Sequence, residues 1–122
     1  MLLSGLVAGT ILFHSAVVAP TVFRTLGEAD ASIFLRTIFP KFFLFLSFLS
    51  AVNLFSAIID NQPRIVIVAA LSTVLMGVAY ALIPATNRSR DAGQQQRFKQ
   101  LHRVSVLLTV LVLCINISVI FI

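Results

Sequence analysis

Acidic side chains are nearly missing from this chain. Four Asp and Glu stand against nine Lys and Arg, and charged residues of both signs make up only 11% of 122 residues, while 59% are hydrophobic. A soluble helical or mixed domain must turn half of each element toward water, which that composition cannot supply. Within the apolar stretches no two carboxylates come together, so a paired acid and base for hydrolysis is excluded there. There is one cysteine, Cys114, which rules out an intrachain disulfide and reads as a small apolar filler. No Gly-rich phosphate loop occurs, nor any nucleophile with an evident base and orienting acid, and Trp is absent altogether.

What the chain has in abundance is length without charge. Four apolar stretches, at roughly 2–22, 39–59, 64–85 and 104–122, are each close to the ~20 residues that a helix needs to cross a bilayer. Apart from Lys41 and Arg64 at edges, the ionisable side chains within them are Tyr80, Cys114, His14 and, at an end, Asp60. In lipid each segment must satisfy its own backbone, so helices are expected, since barrel strands would be about half as long and alternate in polarity. The expectation is an all-α membrane protein of one domain over residues 1–122. It is a bundle of four transmembrane helices, up-down-up-down, with helices at about 2–22, 39–59, 64–85 and 92–122. Residues 1–22 lack a basic region before the apolar run and place Pro20 after Ala19, so they read as a retained helix rather than a cleaved signal.

Lys and Arg are distributed unevenly over the connections. Arg24, Arg36, Lys41, Arg88, Arg90, Arg97, Lys99 and Arg103 fall on one side of such a bundle, and Arg64 alone on the other. Translocation resists basic residues near helix ends, so both termini are expected outside and the long connections in the cytoplasm, with a bacterial inner membrane as the setting. The formal charge of +5 then reflects topology and attraction to anionic headgroups through Arg88, Arg90, Arg97, Lys99 and Arg103, not a nucleic-acid partner. Between Thr25 and Phe39, apolar Ala29, Ile33 and Phe34 to Ile38 interleave with Glu28, Asp30 and Arg36, which predicts a short amphipathic helix in the headgroup plane between the first two crossings. Pro40 is expected to open the second crossing and Asp91 to cap the start of the fourth helix.

Helices in lipid approach each other through small residues. Gly5 and Gly9 form a GxxxG step, Ala69, Thr73, Gly77 and Ala81 form an i, i+4 stripe, and Ser47 with Ala51 gives a shorter one. Counting depth along the helices sorts the polar residues into two layers. Asn53 and Asn116 reach similar depth in the half away from the basic connections and are expected to hydrogen-bond each other, with Ser72, Thr73 and Thr10 near the same level. In the basic half lie His14, Ser15, Ser47, Tyr80, Ser105 and His102. Two histidines on opposite helices can ligate a haem, such as haem b, or a metal, although His102 sits at the mouth of its helix, about 5–10 Å from the depth of His14. The competing reading makes His14 a satisfied interior histidine with Tyr80 and Ser105 as neighbours.

The strings Phe13-His14, Val18-Ala19-Pro20 with Phe23, Ile38-Phe39-Pro40, Pro84 with Asn87, and Phe98-x-x-Leu101-His102-Arg103 with Ser105 resemble the transmembrane protein 205 family of small four-helix membrane proteins. The resemblance covers nearly the whole chain. At fold level that family looks related to copper-resistance D-type membrane domains and to four-helix membrane protoporphyrinogen oxidases, which implies haem or metal at His14 and His102. The lack of Trp departs from the oxidase setting. Two functions of different class are thus expected. One is a non-catalytic accessory or interaction subunit, contacting other membrane proteins or itself through the small-residue stripes and the Phe-rich second helix. The other is a haem or metal protein for electron transfer or tetrapyrrole chemistry.

Overall fold

A computed structural model describes residues 1–121. Its regular structure is helical, and four helices are long and apolar enough to cross a membrane: α1 (Leu2–Thr25), α2 (Glu28–Ile59), α3 (Pro63–Asp91) and α4 (Gln95–Phe121). Neighbours in sequence pack side by side, and α1 meets α4 to close a ring.

Both tight turns end in the same way, for a local reason. After α2, Asn61 takes a positive φ of 54°, and the N–H groups of Gln62 and Asn61 donate to the carbonyls of Ala57 and Ile58. After α3, Gly93 takes a φ of 72°, and Gln94 and Gly93 donate to Ser89 and Arg90. Each pair of bonds caps carbonyls that the helix end leaves free, with Gly or Asn in the left-handed position where side chains are tolerated least. Pro63 at the first position of α3, where no donor is needed, starts the next crossing.

The helices differ from expectation mainly at the basic end. The separate interfacial helix does not exist as such, because Glu28 to Ile59 form one uninterrupted helix of 32 residues with Pro40 inside it. At 1.5 Å per residue this is about 48 Å, against a hydrocarbon core of roughly 30 Å. Proline lacks an N–H, but in a packed, lipid-embedded helix one missing bond is tolerated. Likewise α3 runs through Pro84 to Asp91, so Asp91 ends α3 rather than capping α4, which begins at Gln95. In α1 the chain forms one π-helical turn at His14–Val18, where the Ala19 N–H reaches back to the His14 carbonyl. Pro20, which cannot donate to Ala16, lies immediately beyond, and a π turn is one of the ways a helix absorbs such a break.

The main core joins Val7 and Ile11 of α1, Phe42, Phe43 and Leu46 of α2, Met76 and Ala79 of α3, and Val112 of α4. A second cluster of Ala57, Ile65 and Val119 lies nearer Gln62. The buried face of α3 is Ile65, Ala69, Ser72, Met76 and Ala79, the 3.6-residue period of a helix. The small-residue stripe follows a different line: each i, i+4 step advances 400°, so Gly77 and Ala81 have drifted off the core and are exposed. Gly9 is exposed and Gly5 half-buried, and a Cβ at Gly5, Gly9 or Gly77 would meet nothing within 4 Å. These residues therefore do not bring the four helices together, which corrects the packing role expected of them; Ala69, fully buried, does serve the core.

Candidate functional site

His14 is the buried titratable group of the bundle, 7% exposed. It is the last α1 residue on the face that also buries Ser4, Val7 and Ile11. Its ring stacks on Phe42 with centroids 4.1 Å apart and meets the edge of Phe39 at 5.3 Å. Nε2 is buried and has no hydrogen-bond partner. Neither polar neighbour expected for it hydrogen-bonds that nitrogen. Tyr80 is 44% exposed on α3, one residue and hence about 100° round from buried Ala79. Ser105 is half-buried on α4, where its carbonyl accepts from the Thr109 hydroxyl. The imidazole thus rests among aromatic rings. Phe39 and Phe42 could have been foreseen from their depth, but the pattern Phe-x-x-Phe reads equally as core or lipid surface.

His102 lies exposed on α4 with its ring parallel to that of Phe98, centroids 5.9 Å apart. The Arg90 guanidinium sits 5.6 Å from the same Phe98 centroid, a cation on an aromatic face. The register of the bundle separates the two histidines. The Ser47 hydroxyl donates to the Thr73 carbonyl, and Asn116 Nδ2 donates to Ser72 Oγ, so residues 47, 73 and about 115 share a level. His14, against Phe42, is about five residues below that level and His102 thirteen, a difference of eight residues or roughly 12 Å. One porphyrin held between both imidazoles does not fit this arrangement. Among the described residues no three His, Cys, Asp or Glu side chains group as a metal site.

The other polar layer is an interhelical clamp. Asn53 Nδ2 donates to Ser4 Oγ at 2.9 Å, and Asn116 Nδ2 donates both to Ser72 Oγ at 2.9 Å and to the Val112 carbonyl at 2.7 Å. The two amides do not bond to each other as expected, because α2 and α4 are diagonal in the ring and each reaches a neighbouring helix instead. Ser72 was foreseen at this level; Ser4 was not, although its spacing to Val7, Ile11 and His14 marks it as inward. Ser50, 1% exposed, leaves its hydroxyl unpartnered, as Asn116 leaves Oδ1.

At the basic end Arg36 of α2 forks onto both carboxylate oxygens of Asp91 at the end of α3. This contact, which joins residues far apart in sequence, was not expected. The guanidinium beside it holds the Asp91 carboxyl below its ordinary range. Arg88, Arg90, Arg97, Lys99 and Arg103 are all exposed.

A family model described as a domain of unknown function, DUF4149, matches residues 2–95, and the chain belongs to this family. The match spans the first three helices and stops at the first residue of α4. No curated protein and no solved structure matches the chain.

Proposed function

We propose that this DUF4149 protein is a non-catalytic interaction subunit of a larger membrane assembly. The observation that carries the reading is the outward turn of its small residues. Gly77 and Ala81 leave a flat, open strip on α3, where a second helix can bring its backbone close. The deep amides, for their part, hold helices together and present no converging polar groups to a substrate. The His14-to-Pro20 and Phe98-to-Ser105 segments support kinship with the transmembrane protein 205 family, and an alignment to that family that fails to match His14 and Pro20 would remove it.

In mild detergent the wild-type protein should migrate on a native gel in a complex larger than one chain, and Gly77→Leu should release it as a folded single chain. A Phe55→Leu control, on the exposed surface nearer Gln62, should leave the complex intact. Wild-type protein running as a single chain, or a complex untouched by Gly77→Leu, would remove the reading. The basic bias further supports a bacterial inner membrane with Met1 outside and the α3–α4 turn in the cytoplasm. Cysteines placed at Gln62 and Gln95 should then react with impermeant reagent from the outside and the cytoplasmic side respectively; the reverse would invert the orientation.

A further inference from the structure

We propose that a recess between the start of α1 and the end of α2 binds a primary ammonium group, the head of an ethanolamine phospholipid or a free amine. It lies at the end of the bundle away from the basic connections and holds about 250 Å³. Met1, Leu2 and Leu3 wall one side of it, and Asn53, Ser56, Asp60 and Gln62 the other. The polar wall follows from helix spacing. Asn53, Ser56 and Asp60 stand at i, i+3 and i+7 and so share one face of α2, with about 10 Å of rise from the first to the last. Asn53 is 4% exposed and forms the floor, where its bond to Ser4 joins the two helices. Asp60, just past the last residue of α2, is exposed at the mouth. The turn at Asn61, with its positive φ, carries the chain to Gln62 on the same rim.

Hydrogen-bonding capacity selects the occupant. With the Asn53 amide spent on Ser4, the groups left to a ligand are the Asp60 carboxylate, the Ser56 hydroxyl and the Gln62 amide. A carboxylate only accepts, and the other two can accept through oxygen. Asp60 and Ser56 are four residues apart, hence neighbours on the helix surface. No Lys or Arg lines the recess; Arg64, the basic side chain of this end, is not among its walls. Asp60 takes part in no ion pair among the described residues. Three oxygens, one of them from a carboxylate, suit a cation with several N–H donors, and a primary ammonium carries three. One carboxylate is little charge for a divalent metal. The recess also sits at the end of a spanning helix, the level of lipid headgroups, and Leu2 and Leu3 offer the carbon atoms of such a ligand an apolar side. A trimethylammonium head has the same charge and no N–H to give, so phosphatidylcholine is the reference.

Wild-type protein extracted in mild detergent from vesicles of equimolar phosphatidylethanolamine and phosphatidylcholine should retain the former at least about two-fold in excess by native mass spectrometry, the preference expected of one exposed ion pair. Asp60→Asn should bring the two lipids to equal retention. Leu3→Trp, which fills the recess and keeps the charge, should do the same. Asp30→Asn, which removes an exposed acid at the opposite end, should leave the preference as it is. A second arm identifies the source of the ammonium. Delipidated wild type titrated with ethylammonium chloride should give a binding heat that tetramethylammonium chloride does not give and that Asp60→Asn abolishes. The lipid preference, with or without that heat, assigns the site to the phospholipid head, and the heat alone assigns it to a free amine. Neither signal in wild type, or a signal that survives both Asp60→Asn and Leu3→Trp, would overturn the proposal.

Discussion

The half of the bundle nearer Met1 and Gln62 is built from all four helices, whereas the basic half is held along fewer seams. In the first half Val7, Leu46, Met76 and Val112 are wholly buried, one from each helix, and Asn53 and Asn116 tie α2 to α1 and α4 to α3. In the second, α2 stays beside α3 and joins it through the Arg36–Asp91 pair, while Ala19–Thr25 of α1 packs on α2 and the contacts of α4 with α1 fall on Leu2–Phe13. Composition does not explain the contrast, since apolar residues are plentiful in both. The difference lies in helix geometry. A regular 3.6-residue period keeps one face inward only while the helix is regular, and α1 is regular only as far as His14. Polar residues differ accordingly: nearer Gln62 they bond across helices, and at the basic end they lie exposed or pair at the surface.

Core truncation should separate the halves most. Leu46→Ala removes a side chain fully enclosed among four helices and should cost about 2–5 kcal/mol of folded stability, whereas Leu108→Ala, half-buried on α4, should cost roughly half of that or less. Reversible unfolding in mixed micelles measures both, and equal losses would erase the distinction between halves. A smaller effect is expected for the clamp. A double-mutant cycle on Asn116→Ala and Ser72→Ala should give a coupling of about 0.6 kcal/mol, as interhelical hydrogen bonds in lipid usually do. The same cycle on Ser105→Ala and His14→Ala should give none, since His14 Nε2 has no hydrogen-bond partner, and coupling there would mean that the two side chains meet.

The smallest effect belongs to the exposed pair. Arg36 lowers the Asp91 carboxyl below its ordinary value in the folded state, so its stabilisation is present at neutral pH, above the unfolded value near 3.9. It fades as pH falls through the folded value, when the carboxyl takes up a proton. Asp91→Asn should therefore lower the melting temperature slightly at pH 7 and leave it unchanged in strong acid, where wild type has lost the same charge. An Asp91→Asn effect that persists at low pH would show that the contact acts by packing and not by charge.

The depth of Asn53 and Asn116 and the level that Ser72 shares with Asn116 were legible in the sequence, because position along a helix sets depth; that Asn116 takes Ser72 and not Asn53 was not. That Asn53 takes Ser4 was not either, since depth ranks residues along helices and says nothing about which helices are neighbours. The small-residue stripe misled for a related reason: i, i+4 spacing looks like one face on paper but rotates 40° at each step, and only packed coordinates reveal where it leaves the core. His14 was recognisable as buried, yet its aromatic surroundings and its distance from His102 depended on helix register.

Long runs of uncharged apolar residues determined by themselves that four helices form, and Asp60 with Pro63 that α2 and α3 join in a tight turn, because backbone satisfaction in lipid is a local demand. Tertiary structure alone decided that α2 and α3 run past the expected boundaries through Pro40 and Pro84 and meet at Arg36 and Asp91. It also decided that Leu2–Phe13 meets α4 whereas Ala19–Thr25 packs on α2. Those outcomes depend on how neighbouring helices compensate a missing N–H and on which faces meet, quantities that no single segment of the chain contains.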